Sequence, residues 1–218
     1  MVSQHIARAS SVIRNESIPL EREAANLEGQ ILALQWAQLR HDQTYHRDIA
    51  VLPVAERMKH FALHMAKYVG HIAEAAESGD DKLLLRTLVD AFIIGIAAAN
   101  TLQLDLGRVL AGRWESAPND LRSLGIHVAR ELHRSAADIV WLLRKVGQYT
   151  GCLAKACESL DHIEEYPFRS TMQDSICRLF EVIVAEASLR NLDLSEKAAL
   201  RLASIERTHL FYGRHECD

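Results

Sequence analysis

The chain has 218 residues, 49% of them hydrophobic, and 25 Lys and Arg against 29 Asp and Glu give a net charge of -4. That is enough to bury a full core without a metal or disulfide staple, and the mixed signs argue against a nucleic-acid binder, which would show a basic stripe. Cys152, Cys157, Cys177 and Cys217 form no CxxC pair, residues 1–23 hold no apolar signal core, and the apolar run at 91–99 is short for a bilayer, so a cytoplasmic protein with no membrane and no nucleic-acid partner is expected.

Only four prolines and ten glycines occur, and most sit where periodic segments end, which is the punctuation of a helical bundle. Residues 1–18 read as an N-terminal arm. Leu27, Ile31, Leu34 and Leu39 recur at helical spacing within a first helix over 19–40, followed by a connector to Pro53. The second helix is expected over 53–77, with Pro53 in its first turn and Ser78, Gly79 and Asp80 as its stop. A third covers 82–103, and Leu104-Asp105-Leu106 opens a short one ending near Arg113. After a break at Ala117-Pro118-Asn119, with Asn119 as N-cap, helices are expected over 120–133, 135–159, 171–191 and 195–208. Residues 211–218 read as a loose tail.

The second half repeats the first. Residues 68–80 and 149–161 share Tyr68/Tyr149, Gly70/Gly151, Ala73/Ala154, Ala75/Ala156, Glu77/Glu158, Ser78/Ser159 and Asp80/Asp161 at an offset of 81. At an offset of 88, Phe92, Ala97, Ala99 and Leu104-Asp105-Leu106 lie over Phe180, Ala185, Ala187 and Leu192-Asp193-Leu194. The fold expected is therefore all-α, two helical repeats at 19–116 and 117–210 forming an internal pseudo-dimer in which each half completes the other's bundle.

The run Lys67-Tyr-Val-Gly-His-Ile-Ala-Glu-Ala, then Gly79-Asp80, then Leu88-Val-Asp-Ala-Phe-Ile-Ile through Ala99-Asn100 to Leu104-Asp-Leu106 resembles the all-α nucleoside-triphosphate pyrophosphatases of the MazG kind. The resemblance implies a helical bundle that dimerises and hydrolyses nucleoside triphosphates to monophosphate and pyrophosphate. It also implies Mg²⁺ held by an ExxE pair on one helix and an ExxD pair on the next, since hard Mg²⁺ takes carboxylate oxygens. Carried onto this chain, the ExxE positions are Tyr68 and His71, then Tyr149 and Cys152. The ExxD positions are Thr87 and Asp90, then Ser175 and Arg178. One of eight expected acids, Asp90, is present.

Asp90 is the only charge in 88–99, and a carboxylate in so apolar a helix needs a partner or a raised pKa. Lys67 or His71 on the preceding helix could pair with it. His60, His64, Lys67 and His71 step by 4, 3 and 4 along one face, opposite Phe61, Met65, Val69 and Ile72. With Tyr68 and Asp90 they form a candidate ligand site for a nucleotide or other phosphate, or, through His71 and Asp90, a metal site; the same stripe could equally be a solvated or subunit-facing surface. Imidazoles suit Zn²⁺ or Ni²⁺ better than Mg²⁺, and His41 and His46 in the connector are further possible ligands. The second-unit stripe reads Trp141, Lys145, Gln148 and Cys152, so it is not duplicated, though Arg144, Lys145 and Arg178 could bind an anion. Glu181 and Glu186, five apart on a helix, do not share an ion, and Cys152 and Cys157, which also diverge on their helix, suit a buried structural role rather than a redox pair.

Two readings follow. One is a MazG-like fold that has lost its magnesium acids and serves as a binding or assembly protein, self-sufficient or as a homodimer. The other is an active nucleotide-binding phosphohydrolase rebuilt around His64, Lys67, His71 and Asp90, with Mg²⁺ if ancestral activity remains. A polar pocket at Asp90 speaks for a ligand, and a dry, packed seam speaks for assembly.

Overall fold

The structure, a computed structural model, describes residues 26–113 and 118–210. The expected arm at 1–18, the start of the first helix at 19–25, the break at Ala117 and the tail at 211–218 lie outside them. Every regular element described is helical: α1 Leu27–Tyr45, α2 Arg47–Ala50, α3 Val54–Ser78, α4 Asp81–Thr101, α5 Leu106–Ala111, α6 Leu121–Glu131, α7 Ile139–Asp161, α8 Phe168–Leu189 and α9 Leu194–Thr208.

The punctuation residues act as local chemistry requires. Gly79 ends α3 with φ 71°, the left-handed conformation that costs glycine little, and its N–H donates to the Ala75 carbonyl. Asp80 caps the next helix, its carboxylate accepting from the Lys82 and Leu83 N–H groups. Two corrections concern caps. Asp120, not Asn119, caps α6, in a capping box with Ser123; Pro53 stands one position before α3 rather than in its first turn. The two Leu-Asp-Leu segments fold alike. Gln103 and Asn191 adopt φ 53° and 56°, the Leu104 and Leu192 N–H groups donate to the Ala99 and Ala187 carbonyls at 2.9 Å, and Asp105 and Asp193 cap the helices that follow.

Four long helices make the centre. The α3–α4 hairpin lies against the α7–α8 hairpin, with α3 on α7 and α4 on α8. Phe92 and Phe180, both fully buried, meet at the α4–α8 contact with ring centroids 5.2 Å apart. Around this centre α1 packs on α4 and α5, α6 on α8, and α9 on α4 and α1. Contrary to the expectation from its short apolar run, α4 is long and apolar enough to cross a membrane by length and composition, but 67% of that apolar stretch is buried inside the bundle.

Two close fits hold the periphery. Gly125 of α6 lies against the Val184 carbonyl and the Ser188 hydroxyl of α8, leaving no room for a Cβ. Glu186, fully buried in α8, accepts from Arg190 Nε at 2.8 Å and from the Asp138 N–H at 3.2 Å, tying α8 to the start of α7. Glu181 is likewise consumed, by Arg113 at 2.7 Å and Arg178 at 3.3 Å. As the spacing implies, the two glutamates serve separate ion pairs.

Glu186→Ala leaves Arg190 without its carboxylate and the Asp138 N–H without an acceptor, and is expected to lose ~2–4 kcal/mol of stability in urea unfolding. The exposed Glu158→Ala is expected to change it by less than about 0.5 kcal/mol. Equal effects would show that the buried carboxylate ties nothing down.

Candidate functional site

A cavity of about 500 Å³ opens between α1, α3, α4 and α9, and Asp90 is on its wall. Its placement begins with a polar clamp. Gln35 of α1 donates from Nε2 to the Asn100 side-chain oxygen at 2.9 Å and to the Leu104 carbonyl at 2.8 Å, and accepts from the Leu106 N–H at 3.1 Å. Asn100 returns a bond to the Gln35 carbonyl at 2.8 Å. This fixes α1 on the end of α4, so that Gln38, His41 and Asp42 face the space between them. The first helix runs to Tyr45 rather than ending near residue 40, so His41 is a buried helical residue and not part of a connector.

The α3 stripe supplies the opposite wall: Arg57, His60, His64, Lys67 and Tyr68 line the cavity together with Phe61. Lys67 itself is exposed, while His60 and His64 are partly buried, so this stripe is not simply a solvated surface. His71 is not among the lining residues; it packs beside Tyr68 with ring centroids 6.3 Å apart. Ile93, Ile94 and Ala97 of α4 form an apolar floor, and Arg201, Leu202 and Ile205 of α9 close the space.

Asp90 is paired, but not with Lys67 or His71. Its partner is Arg201, whose Nε lies 2.8 Å from Oδ1, with Arg86 Nε 3.9 Å from Oδ2. Residues 111 positions apart thus meet across the cavity, a contact helical periodicity cannot encode.

A hydrogen-bonded chain runs along α3. His64 Nδ1 lies 3.3 Å from both the Tyr68 hydroxyl and Lys67 Nζ, and His64 Nε2 lies 3.1 Å from His60 Nε2. Lysine is only a donor, so His64 Nδ1 is the acceptor, its proton sits on Nε2, and His60 Nε2 is the acceptor of that proton. A second proton on His64 would face the Lys67 cation. Burial, then Lys67 and His60, lower its pKa from 6.5 to about 4. Burial first, then the Asp90 carboxylate, pushes the Tyr68 phenol above its ordinary value, so it remains a neutral donor. Arg57 donates Nη1 to the Ala50 carbonyl at 3.3 Å, while its buried Nε has no hydrogen-bond acceptor. Neither Arg57 nor Lys67 has a carboxylate oxygen within ion-pair distance among the described residues.

The residues at the positions where the MazG resemblance implies magnesium ligands do not fit Mg²⁺. Tyr68 is a neutral phenol, the Thr87 hydroxyl donates to the Leu83 carbonyl at 2.7 Å, and Asp90 is held by Arg201. In the second half Cys152, contrary to the buried role expected of it, is exposed, and Arg178 pairs with Asp174 and Glu181. Cys157, as expected, is a buried thiol, pushed up to about 11 by burial. Lys145 bonds to Gln148 at 3.3 Å. One group of three or more His, Cys, Asp or Glu side chains close enough for a single ion occurs among the described residues: His41, Asp42 and His46. Asp90 and His71 are not in it.

His64 carries a pH signature. Between about 4 and 6.5 the unfolded chain binds a proton there that the folded chain refuses, so its share of stability is intact above pH 6.5 and is lost as pH falls toward 4. His64 is only partly buried, so solvent screens the charge and limits the loss to ~1–2 kcal/mol. Urea unfolding at pH 7.5 and 5 is expected to show a smaller loss in His64→Gln than in the native protein. Equal losses would overturn the neutral His64.

Set against protein-family models, curated proteins and solved structures, the chain matches none of them. The likeness to MazG-type pyrophosphatases stays with the residues that carry it.

Proposed function

We propose that the chain is a MazG-like protein that has given up magnesium-dependent hydrolysis and binds a nucleotide or another phosphate-bearing small molecule in the cavity between α1, α3, α4 and α9. One observation carries this reading. The single acid left at the family's metal positions, Asp90, is occupied by Arg201, while Arg57 and Lys67 line the same cavity with no carboxylate of their own. Cations without counter-ions beside an apolar floor suit an anionic group attached to an organic body. A polar cavity of about 500 Å³ also favours a ligand over a packed seam. The rebuilt hydrolase is less well supported, because His71 is off the cavity wall and Asp90 is not free to act as a base.

The internal pseudo-dimer belongs to the same proposal. Two positions 88 apart, Arg113 and Arg201, each reach from the end of one half to an acid on the central hairpin of the other: Arg113 to Glu181 and Arg201 to Asp90. Phe92 and Phe180, also 88 apart, touch each other, as a residue and its equivalent do at a two-fold axis. These contacts support two repeats performing within one chain what the family does by dimerising, in the cytoplasm that the thiol pattern suggests.

Thermal unfolding with a panel of nucleoside triphosphates, nucleoside monophosphates, pyrophosphate and phosphate tests the reading. A ligand at a hundred times its Kd adds ~2.7 kcal/mol to the folded state, and a rise in Tm is expected for at least one. Lys67→Ala with Arg57→Gln is expected to weaken that ligand at least tenfold. No shift at millimolar concentration, or a shift undiminished in the double variant, overturns the binding site. Mg²⁺-dependent pyrophosphate release lost in Asp90→Ala overturns the loss of hydrolysis.

A further inference from the structure

The C-terminal turn of α1 carries a feature that anion binding does not use. His41 is buried, with 3% of its side chain exposed, and neither ring nitrogen has a hydrogen-bond partner. Two carboxylate oxygens lie near it but beyond hydrogen-bond reach: Asp42 Oδ1 is 3.7 Å from Nδ1 and Glu206 Oε1 of α9 is 3.9 Å from Nε2. An imidazole desolvated on both nitrogens is costly, and the surroundings are polar and acidic. At His46 the backbone leaves the helix, with φ -128° and ψ 40°, and this turns its ring back to 5.3 Å from that of His41. One donor atom each from His41, Asp42 and His46 then lies within 4.8 Å of the others.

We propose that His41, Asp42 and His46 bind a divalent first-row transition ion of the Zn²⁺ class at the wall of the cavity. Two imidazoles and one carboxylate are borderline donors that select such an ion over Mg²⁺ or Ca²⁺. Tetrahedral coordination at bond lengths of ~2.0–2.1 Å needs donors ~3.3 Å apart, which side-chain rotation of this loosely arranged trio supplies. Nδ1 of His41 faces Asp42 and is the coordinating atom, leaving Nε2–H to Glu206, a carboxylate behind the histidine that fixes its tautomer. Gln38 donates from Nε2 to Asp42 Oδ1 at 2.8 Å and orients the carboxylate. The three ligands leave a fourth position for water or for a ligand atom from the cavity. This site was not expected from the sequence as a set and does not depend on nucleotide binding.

The test uses the full chain stripped with chelator and titrated with Zn²⁺ alone by calorimetry, then with Co²⁺, whose visible absorption reports coordination number. One ion per chain and a four-coordinate Co²⁺ spectrum are expected. His46→Gln and Asp42→Asn, both partly exposed positions that are not needed for packing, are expected to weaken Zn²⁺ at least tenfold. Glu206→Gln is expected to weaken it less, and His60→Gln not at all. Absence of one-to-one binding overturns the site, as does an affinity unchanged in His46→Gln and Asp42→Asn or lost in His60→Gln alone. Since Zn²⁺ is titrated without nucleotide, failure here leaves the anion site standing, and failure of the anion site leaves this one standing.

Discussion

The ion pair between Asp90 and Arg201 decides what the first half of this protein becomes. A carboxylate in the apolar run of α4 must be compensated, and the compensating guanidinium comes from the last helix rather than from the one beside it. Meeting that need brings α9 across the ends of α1 and α4. Polar and aromatic side chains line the space at this crossing, which is a cavity rather than a packed seam. The same pair removes Asp90 from the set of groups able to hold a magnesium ion. One ion pair thus shapes the cavity and takes up the carboxylate on its wall.

Within that cavity His64 is neutral structure, and Arg57 and Lys67 on the α3 side are fixed cations without a paired carboxylate. Lys67 and Tyr68 both point donors at His64 Nδ1, which keeps the ring neutral and orients it toward His60. A neutral imidazole adds hydrogen-bond capacity without repelling Arg57 or Lys67, and an anion entering from the α3 side would meet those cations first. His41 and His46 lie on the α1 side, next to Asp42, where the local acids favour a cation instead. The two walls therefore have different chemistry, and a metal on one wall would add positive charge for a phosphate held by the other.

Helices with an apolar face were legible in the sequence, and so were the breaks between them: Gly79 ends α3, and Asp80, Asp105 and Asp193 cap the helices that follow, through backbone geometry and caps that depend on neighbours in the chain. The end of α1 was not. Its buried side chains there are Gln35, Gln38 and His41, a polar stripe at helical spacing, and a search for apolar periodicity stops at Leu39 because the core it faces is polar. The His41, Asp42 and His46 set went unread for the same reason, since placing residues 41–46 in a connector hides the turn that gathers them. Asp90 stood out by its solitude, yet its partner did not, because nothing local links positions 90 and 201.

On the proposed reading of two repeats, the halves divide their work. Positions 86 and 90 carry Arg and Asp, whereas positions 174 and 178, which lie 88 residues later, carry Asp and Arg. With the charges exchanged, Arg113 and Arg178 both turn to Glu181, and Asp174 lies beside them. That group is internally balanced: each cation has an acid, and the carboxylate of Glu181 is spent twice. In the first half one acid on the hairpin meets Arg201 and Arg86, and Arg57 and Lys67 are left over. On the proposed reading the second half has become support, its charges closed upon themselves, while the first keeps unspent charge next to open volume, which is the condition for holding a ligand.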